Sequence, residues 1–393
     1  MEISQRLARI SASATLAAAD KTARLVAQGL DVIDLGQGLP NFSTPAHICD
    51  AGITAINEGR TRYTPTSGIP ELRDAVAARY ESLYGVEYDR SETIITCGGK
   101  HALYSAFQAL VEDGDEVIIP TPYWVSFPAQ VRIAGGHPVF VDAHEEDDFV
   151  VRAQDIDKAC TERTKAIILN TPSNPSGAVI PFAVLADIAR IAIDRGLVIV
   201  LDETYDRFLY GGAVHASPLS LGPEAKPVTL SIGSCSKTWA MTGWRIGWAT
   251  GPRELIASMS RLQSHLTSNP TSISQWAAVE ALTGDQGAVD EMLVAFAERR
   301  EAVLRQLNSM PAVTCGQPMG AFYAFPNIAG AFNDRIKTSD DLVTYLIDEA
   351  NVVTVPGRAF GRDDFLRISF AVEIDRLREA LHRMSEAFAS IVV

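Results

Sequence analysis

The sequence predicts an α/β protein in which a large domain, built on a mostly parallel central sheet flanked by helices, is joined to a smaller α+β domain. Two observations lead to this prediction. From about residue 92, short β-branched runs bounded by Gly, Pro and Asp alternate with segments of helical periodicity. Near residue 285 the alternation ends, and one long helical pattern precedes several short strand patterns. We therefore expect a large domain at 45–285 and a small domain formed by 1–44 and 286–393.

The central sheet is predicted from runs that are apolar almost without interruption. Such runs are typical of parallel strands whose two faces are both covered. Helical patterns separate them, as in KHALYSAFQALV and FAVLADIARIAIDRG. In chain order, the strand patterns are ETIITCGG, DEVIIP, HPVFVDA, KAIILNTP, LVIVLDE, PVTLSIGS and WRIGWATG.

The small domain is predicted from the C-terminal part of the chain. One long helix is expected for AVDEMLVAFAERREAVLRQLNSM, ended by Pro311. Strand patterns follow in GAFYAF, NVVTVP and FLRISFAV, and a closing helix is expected for DRLREALHRMSEAFASIV. This mixture of short strands and long helices predicts an α+β unit.

Composition and charge argue against several classes of partner and site. Lys and Arg total 34 against 48 Asp and Glu, and the net charge of −14 disfavours binding to nucleic acid or anionic membranes. No apolar run approaches the ~18 residues needed to span a bilayer. The five cysteines are scattered without a C-x-x-C spacing, and the seven histidines include no H-E-x-x-H. We expect no disulfide framework, no metal site and a reducing, cytoplasmic location.

The ends of the predicted strands are the places to search for function, because ligands of open parallel sheets bind beyond the carboxyl ends of the strands. After the first strand come Cys97, Gly98, Gly99 and Lys100, which open a helix. Glycines at a helix N-terminus let backbone amides approach a phosphate. The run lacks the upstream glycine of a P-loop and the G-x-G-x-x-G of nicotinamide enzymes.

Two more strand ends carry polar side chains. The loop TPSNPSG follows KAIILN and presents Asn174 as a donor. Asp202 follows GLVIVL, and a carboxylate at the end of so apolar a strand is costly to bury unless it is paired. Asp202 suits a protonated heterocyclic nitrogen, and Tyr205 can present its phenol to the same ligand.

The fourth strand end, SIGSCSKTWAMTGWRIGW, contains Ser234, Lys237 and Arg245. Ser234 and Lys237 satisfy S-x-x-K, but the S-D-N and K-T-G partners of penicillin-binding proteins are absent from the sequence. The alternative is that Lys237 itself forms a Schiff base with a carbonyl. Phosphate donors, an acid, a phenol, an amide and an amine together match pyridoxal phosphate (PLP). Lys237 is therefore predicted to bind the PLP aldehyde.

At these residues the chain resembles the fold-type I, class I PLP-dependent aminotransferases, the aspartate aminotransferase family, over essentially its whole length. SKTWAMTGWRIGW is similar to the cofactor-lysine signature of that family, and the resemblance implies that Lys237, Asp202 and Tyr205 are catalytic. It also implies a set of cofactor-binding residues, with Trp124 stacked on the ring. These are Gly99, Lys100, Trp124, Asn174, Asp202, Tyr205, Ser234, Lys237 and Arg245.

The resemblance further implies how substrate binds and how subunits assemble. Arg367 in FLRISFA corresponds to the arginine for the α-carboxylate, and Gly38 in LGQGLPNF lines the site with Trp124 and Asn174. Lys100, in a GGK motif, corresponds to a lysine for the distal carboxylate. Tyr63 corresponds to a residue that reaches the phosphate of the neighbouring subunit, which implies a homodimer with shared active sites.

The resemblance implies transfer of an amino group, with aspartate as the favoured donor, to 2-oxoglutarate by a ping-pong mechanism. The alternatives are aromatic, kynurenine, glutamine or prephenate transamination, or C–S bond cleavage on the same fold. LGQGLPNF also resembles the kynurenine and glutamine enzymes. Ser11 stands where prephenate-active members have a lysine, which disfavours prephenate.

Overall fold

The computed structural model describes residues 5–10 and 14–391. The strands, numbered in chain order, are β1 (Ile33–Asp34), β2 (Thr93–Thr96), β3 (Glu116–Thr121), β4 (His137–Asp142), β5 (Thr164–Asn170), β6 (Val198–Asp202), β7 (Thr229–Ser234), β8 (Gly247–Thr250), β9 (Tyr323–Ala324), β10 (Val352–Val353), β11 (Val355–Pro356) and β12 (Leu366–Ser369).

Helices surround these strands. They are α1 (Gln5–Ala8), α2 (Ala14–Ala27), α3 (Ala46–Asn57), α4 (Pro70–Tyr84), α5 (Gly99–Leu110), α6 (Ser126–Ile133), α7 (Ala153–Ala159), α8 (Phe182–Arg195), α9 (Cys235–Thr238), α10 (Arg253–Leu266), α11 (Ser272–Thr283), α12 (Gly287–Leu307), α13 (Ser339–Ala350) and α14 (Ile374–Ile391). No helix among these described residues is long and apolar enough to cross a membrane.

The largest sheet confirms the predicted fold class. Its seven strands lie in the order β2-β8-β7-β6-β5-β3-β4. Strands β4, β3, β5, β6 and β7 run parallel to one another, whereas β8 is antiparallel to both β7 and β2. The sheet is therefore mostly parallel, with one reversed strand.

The inner strands of the large sheet are buried on both faces, which explains their continuous apolar runs. In β5, Ile167 packs in a cluster with Leu185 of α8, and the next residue, Ile168, packs in a second cluster with Phe107 of α5. Successive strand residues point to opposite faces, so each apolar residue of the run enters one of the two cores.

A second region is built from both ends of the described chain. Strand β1 pairs in parallel with β10, joining Ile33 to Val352. Strands β11, β12 and β9 form a separate antiparallel sheet. A single apolar cluster connects β1, β9, β10 and β12 with α12, α13 and α14 and includes Tyr205 and Phe208, which follow β6. The N-terminal strand thus packs with the C-terminal region.

The sheet brings its functional strand ends to one edge. Asn170 at the end of β5 pairs with Asp202 at the end of β6. Because β8 is reversed, its first residue, Gly247, pairs with the last residues of both neighbours, Ser234 of β7 and Thr96 of β2. The loops that follow four different strands therefore begin beside one another.

Candidate active site

A cavity of about 330 Å³ lies at this edge, between the large sheet and the C-terminal region. Its size is that of a small-ligand site. The predicted site residues that line it are Gly38, Gly99, Lys100, Trp124, Asn174, Asp202, Tyr205, Ser234, Lys237, Arg245 and Arg367.

Lys237 lies at the centre of the charged groups in this cavity. It is carried by the short helix α9, whose first turn is capped by Ser234. Its Nζ donates a 2.6 Å hydrogen bond to the carbonyl oxygen of Gly38. Burial, followed by the nearby cations Arg245 and Arg367, lowers the pKa of the Lys237 amine to about 8. About a tenth of the amine is therefore neutral at pH 7, far more than for an ordinary lysine, and this neutral form is able to act as nucleophile or base.

Asp202 supplies the buried carboxylate of the cavity. Its Oδ1 accepts hydrogen bonds from the backbone amide (3.1 Å) and the hydroxyl (2.7 Å) of Thr204. Burial raises the pKa of Asp202, while the Thr204 hydrogen bonds oppose that shift. Because both Thr204 bonds go to Oδ1, Oδ2 is left as an acceptor for an N–H group of a ligand.

The start of α5 and the end of β7 form a cradle for an anion. Gly98 has φ +89°, and a Cβ there would overlap the guanidinium of Arg245. A Cβ at Gly247 would overlap the backbone of Gly98 and Gly99, so the close approach of these segments requires glycine. The backbone amides that open α5 have no partners within the helix. Together with Arg245 and the hydroxyl of Ser234, they form a donor set suited to a phosphate.

Arg367 is the most deeply buried cation of the cavity, at 1% exposure. It lies on β12, and its Nη1 donates to Oδ1 of Asn174 at 3.1 Å, while Nη2 donates to the carbonyl of Gly36. Its Nε is buried without a hydrogen-bond partner among the described residues. A buried guanidinium with an unused donor suits a carboxylate ligand.

Tyr323 is a cavity residue that the sequence reasoning missed. Its hydroxyl lies 2.8 Å from the hydroxyl of Tyr205, and its ring lies 4.6 Å from the guanidinium carbon of Arg367. A Cβ at Gly38 would overlap the Tyr323 hydroxyl. Burial, followed by the neighbouring Tyr323, raises the pKa of Tyr205 well above its usual value. Tyr205 is thus a neutral hydroxyl in this site.

Lys100 and Trp124 line the cavity together. The Nζ of Lys100 lies 4.9 Å from the centre of the Trp124 ring. Burial and the nearby Arg245 lower the pKa of Lys100. The cavity therefore contains four basic side chains, Lys100, Lys237, Arg245 and Arg367, and the carboxylate of Asp202. In a chain of net charge −14, this local excess of cations favours anionic ligands.

One sequence-based hypothesis falls outside the cavity, and a second concerns a residue outside the described part of the chain. Tyr63 does not line the cavity and is 89% exposed. Ser11, at the position considered for prephenate, lies outside the described residues. No cluster of potential metal ligands occurs in residues 5–10 and 14–391.

Comparison with known proteins decides the family. The family model described as aminotransferase class I and II matches residues 30–384. The chain belongs to this family. It is 46% identical over 393 residues to an aspartate aminotransferase of Geobacillus stearothermophilus, an alignment that spans 99% of this chain and all of the relative. It is 40% identical to an aspartate/prephenate aminotransferase of Nitrosomonas europaea, spanning 98% of this chain and 99% of that one.

Solved structures of class I and II aminotransferases share the fold. The aspartate aminotransferase of Thermus thermophilus with maleate superposes with a TM-score of 0.94 at 38% identity, covering 98% of this chain and all of that one. The resemblance and fold class expected from the sequence are confirmed. The protein is a transaminase, and the cofactor of its family is PLP. The cavity fits PLP, because it combines an amine, a phosphate cradle and a buried carboxylate with a free acceptor oxygen.

Proposed function

We propose that this aminotransferase transfers the amino group of aspartate to 2-oxoglutarate by a ping-pong mechanism. The observation that carries the proposal is the presence of two cations, Arg367 and Lys100, in the cavity of Lys237, in addition to Arg245 in the phosphate cradle. One cation binds the α-carboxylate and the other binds the distal carboxylate of a dicarboxylic substrate. The names of the relatives from Geobacillus and Thermus support aspartate as the donor.

Different residues of the cavity bind different parts of PLP in this proposal. Lys237 binds the aldehyde, and the amides of Gly99 and Lys100, the Ser234 hydroxyl and Arg245 bind the phosphate. Asp202 pairs with the pyridine nitrogen. The 3-oxygen is bound by Tyr205 and Asn174, and Trp124 packs on the ring.

Lys237 moves the proton in this proposal. Bound PLP supplies an electron sink for the bond that breaks at the substrate Cα. Once the amine of the substrate has replaced it at the aldehyde, the free Lys237 amine, whose neutral form is favoured by its low pKa, would take the proton from Cα and hold it at Nζ. Asp202 would favour the protonated form of the ring nitrogen, and Arg367 would bind the carboxylate and so restrict the orientation of the substrate in the cavity of Lys237.

A panel of donors and acceptors tests the proposed substrate. Aspartate, glutamate, kynurenine, glutamine, phenylalanine and cystathionine are assayed as donors, with 2-oxoglutarate, pyruvate and prephenate as acceptors. The proposal requires aspartate with 2-oxoglutarate to have the highest kcat/KM. A higher value for an aromatic donor or for prephenate, or release of ammonia and a thiol, would assign one of the alternative reactions.

Lys100 offers a sharper form of this test. Replacing Lys100 by Met retains its length and removes its charge, so the KM for aspartate should rise about tenfold or more, whereas turnover of a neutral donor should change little. Lys100→Arg is the matched control that keeps the charge. Equal losses for charged and neutral donors would mean that Lys100 serves the cofactor alone.

We further propose a cytoplasmic homodimer with shared active sites, in which 45–285 forms the large domain and 1–44 with 286–393 the small one. Tyr63, at 89% exposure, is available to a second subunit, and Ile53 and Ile56 on α3 are exposed apolar residues. All five cysteines are free, which suits a reducing compartment.

Subunit mixing tests the shared site. Lys237→Ala leaves Tyr63 intact, and Tyr63→Phe leaves Lys237 intact, so a mixed dimer contains one site with both native residues. Refolding the two inactive or weakened variants together should restore PLP retention and activity above the mean of the two separate preparations. No gain on mixing, or a monomer in sedimentation, would reject the shared site.

A further inference from the structure

A second buried cluster of titratable side chains lies on the opposite side of β6 from the cavity. Glu203 follows Asp202, and since successive strand residues point to opposite faces, its carboxylate points away from the site. Glu203 Oε1 accepts from the Tyr84 hydroxyl at 2.8 Å, and that hydroxyl lies 2.8 Å from Nδ1 of His215. We call Glu203, Tyr84 and His215 the Glu203 triad.

The Glu203 triad is enclosed by protein groups. Glu203 is 4% exposed, and its second oxygen, Oε2, accepts from the Tyr80 hydroxyl at 2.9 Å. Besides His215, the charged group that acts on Glu203 is Asp206, which is paired with Arg79. Both carboxylate oxygens are thus filled by the chain itself, so this cluster is not a ligand site.

The free end of the triad contacts the backbone of an active-site loop. Nε2 of His215 lies 3.0 Å from the carbonyl oxygen of Thr171. A carbonyl oxygen only accepts hydrogen bonds, so Nε2 must hold a hydrogen. The His215 side chain is 9% exposed, which limits competition from water for this bond.

The hydrogen bond from Nε2 of His215 to the Thr171 carbonyl is retained in two different protonation arrangements of the Glu203 triad. In one arrangement His215 is protonated on both nitrogens, Nδ1 donates to Tyr84, and Tyr84 donates to the Glu203 carboxylate. In the other, a protonated Glu203 donates to Tyr84, which donates to the unprotonated Nδ1. Both arrangements contain the same number of protons, and both keep the hydrogen on Nε2 that faces Thr171.

Thr171 begins the loop that contains Asn174. Its backbone amide donates to the carbonyl of Asp202 at 3.2 Å, so it is tied to the β6 end on its other side as well. The side chain of Asn170 joins the same unit, since its Nδ2 donates to the Asp202 carbonyl and its Oδ1 accepts from the Asn174 amide. Asn174 in turn accepts from Arg367 at 3.1 Å. Thr171 and Asn174 are therefore connected, through Asn170 and the Asp202 carbonyl, in one hydrogen-bonded unit beside Arg367.

We propose that the Glu203 triad positions Asn174 against Arg367 by holding the Thr171 carbonyl through the Nε2–H of His215. His215 is thus a positioning residue for the substrate-binding arginine, and it touches neither substrate nor cofactor. The consequence for catalysis rests on the function proposed above, whereas the consequence for the loop does not.

Two substitutions of His215 separate hydrogen bonding from packing. The amide nitrogen of Gln in His215→Gln lies about as far from Cα as Nε2 does, so it keeps a donor for Thr171. The amide of Asn in His215→Asn corresponds to Nδ1, so it faces Tyr84 and loses Thr171. Hydrogen exchange of the peptide spanning 165–180 is measured by mass spectrometry on the holoenzyme, together with KM and kcat for aspartate.

We expect the two variants to differ in loop exchange and in KM. In His215→Asn, the loop amides should exchange about five- to tenfold faster and KM should rise about fivefold with a smaller change in kcat, as for one lost buried hydrogen bond. In His215→Gln, both quantities should stay within about twofold of the wild type, since the donor is kept.

Several results would contradict the positioning role of His215. Unchanged exchange in His215→Asn, or exchange as fast in His215→Gln as in His215→Asn, would overturn the positioning role and leave only packing. If His215→Asn does not fold, Tyr84→Phe removes the link to Glu203 with little change of volume. Unchanged loop exchange in that variant would also overturn the proposal. A wild type inactive toward aspartate would refute the proposed substrate without affecting the exchange comparison.

Discussion

The two faces of the sheet at the end of β6 present adjacent buried carboxylates with opposite surroundings. Asp202 lines the cavity, and its Oδ1 is bonded only by Thr204, within the same loop. Glu203, one residue later, has both oxygens bonded by tyrosines of α4. Burial raises the pKa of both. Burial alone therefore does not identify a functional acid. Asp202 differs from Glu203 in that its Oδ2 remains available to accept a hydrogen bond from a ligand.

The largest effect is expected on the cavity face, at Lys237. Lys237→Ala should reduce transamination about a thousandfold or more, because it removes both the cofactor bond and the base. The visible absorption of bound PLP should also disappear, while the unfolding transition of the cofactor-free protein should not fall. If Lys237→Ala did not fold, Lys237 would be required for stability, as the Glu203 triad is expected to be. The proposed contrast between the two faces of the sheet would then be rejected.

Paired substitutions of the two carboxylates test the comparison directly. Asp202→Asn should lower kcat/KM about ten- to a hundredfold with little loss of stability, because it weakens a charge-assisted bond to the ring nitrogen. Glu203→Gln should instead lower the free energy of unfolding by about 1–3 kcal/mol, because its amide meets a tyrosine donor. Kinetics and denaturant unfolding of both variants check this. The reverse pattern would reject the division of roles.

A pH titration sharpens the comparison, because the cavity face holds an amine that titrates near neutrality. In the cofactor-free protein the pKa of Lys237 is about 8, against 10.5 for an ordinary lysine. Acetylation of Lys237 should therefore rise about tenfold per pH unit up to about 8 and then level off. Between these two pKa values, the Lys237 amine is protonated in the unfolded chain but has lost its proton in the folded protein. The free energy of unfolding of the cofactor-free protein should therefore increase with pH across that interval. An exposed lysine serves as the internal standard.

The smallest effect is expected at Gly38. Gly38→Ala places a methyl group against the Tyr323 hydroxyl and should raise KM severalfold, whereas Gly243→Ala, whose new Cβ has no neighbour within 4 Å, should be silent. In a Tyr323→Phe background the overlapping oxygen is absent, so Gly38→Ala should lose most of its effect. Additive effects of the two changes would show that Gly38 does not act through Tyr323.

Sequence alone located the parts of the site that follow strands. Asp202, Asn174, Lys237 and the glycines before Lys100 stand where apolar runs end, and parallel pairing brings such ends together. Arg367 was identified only through the family resemblance, because an arginine in a short strand has no local signal that separates it from a surface residue.

Other features depend on packing between distant segments. Tyr323 and Gly38 reach the cavity from distant parts of the chain, and GAFYAF does not reveal which aromatic residue faces Tyr205. The partners of Glu203 come from α4, more than a hundred residues earlier, and no local pattern connects them. Tyr63 is exposed in the single subunit, so its role stays a prediction.

The pairing of Ile33 with Val352 has a consequence for biosynthesis. A ribosome releases the large sheet before β10 and β12 have been made, so the early segment that bears Gly36 and Gly38 must wait for its partners. The surroundings of Arg367 are therefore completed last, when Arg367 emerges and meets the main-chain oxygen of Gly36, which was translated more than three hundred residues before it. The cavity therefore cannot be complete before translation is nearly finished.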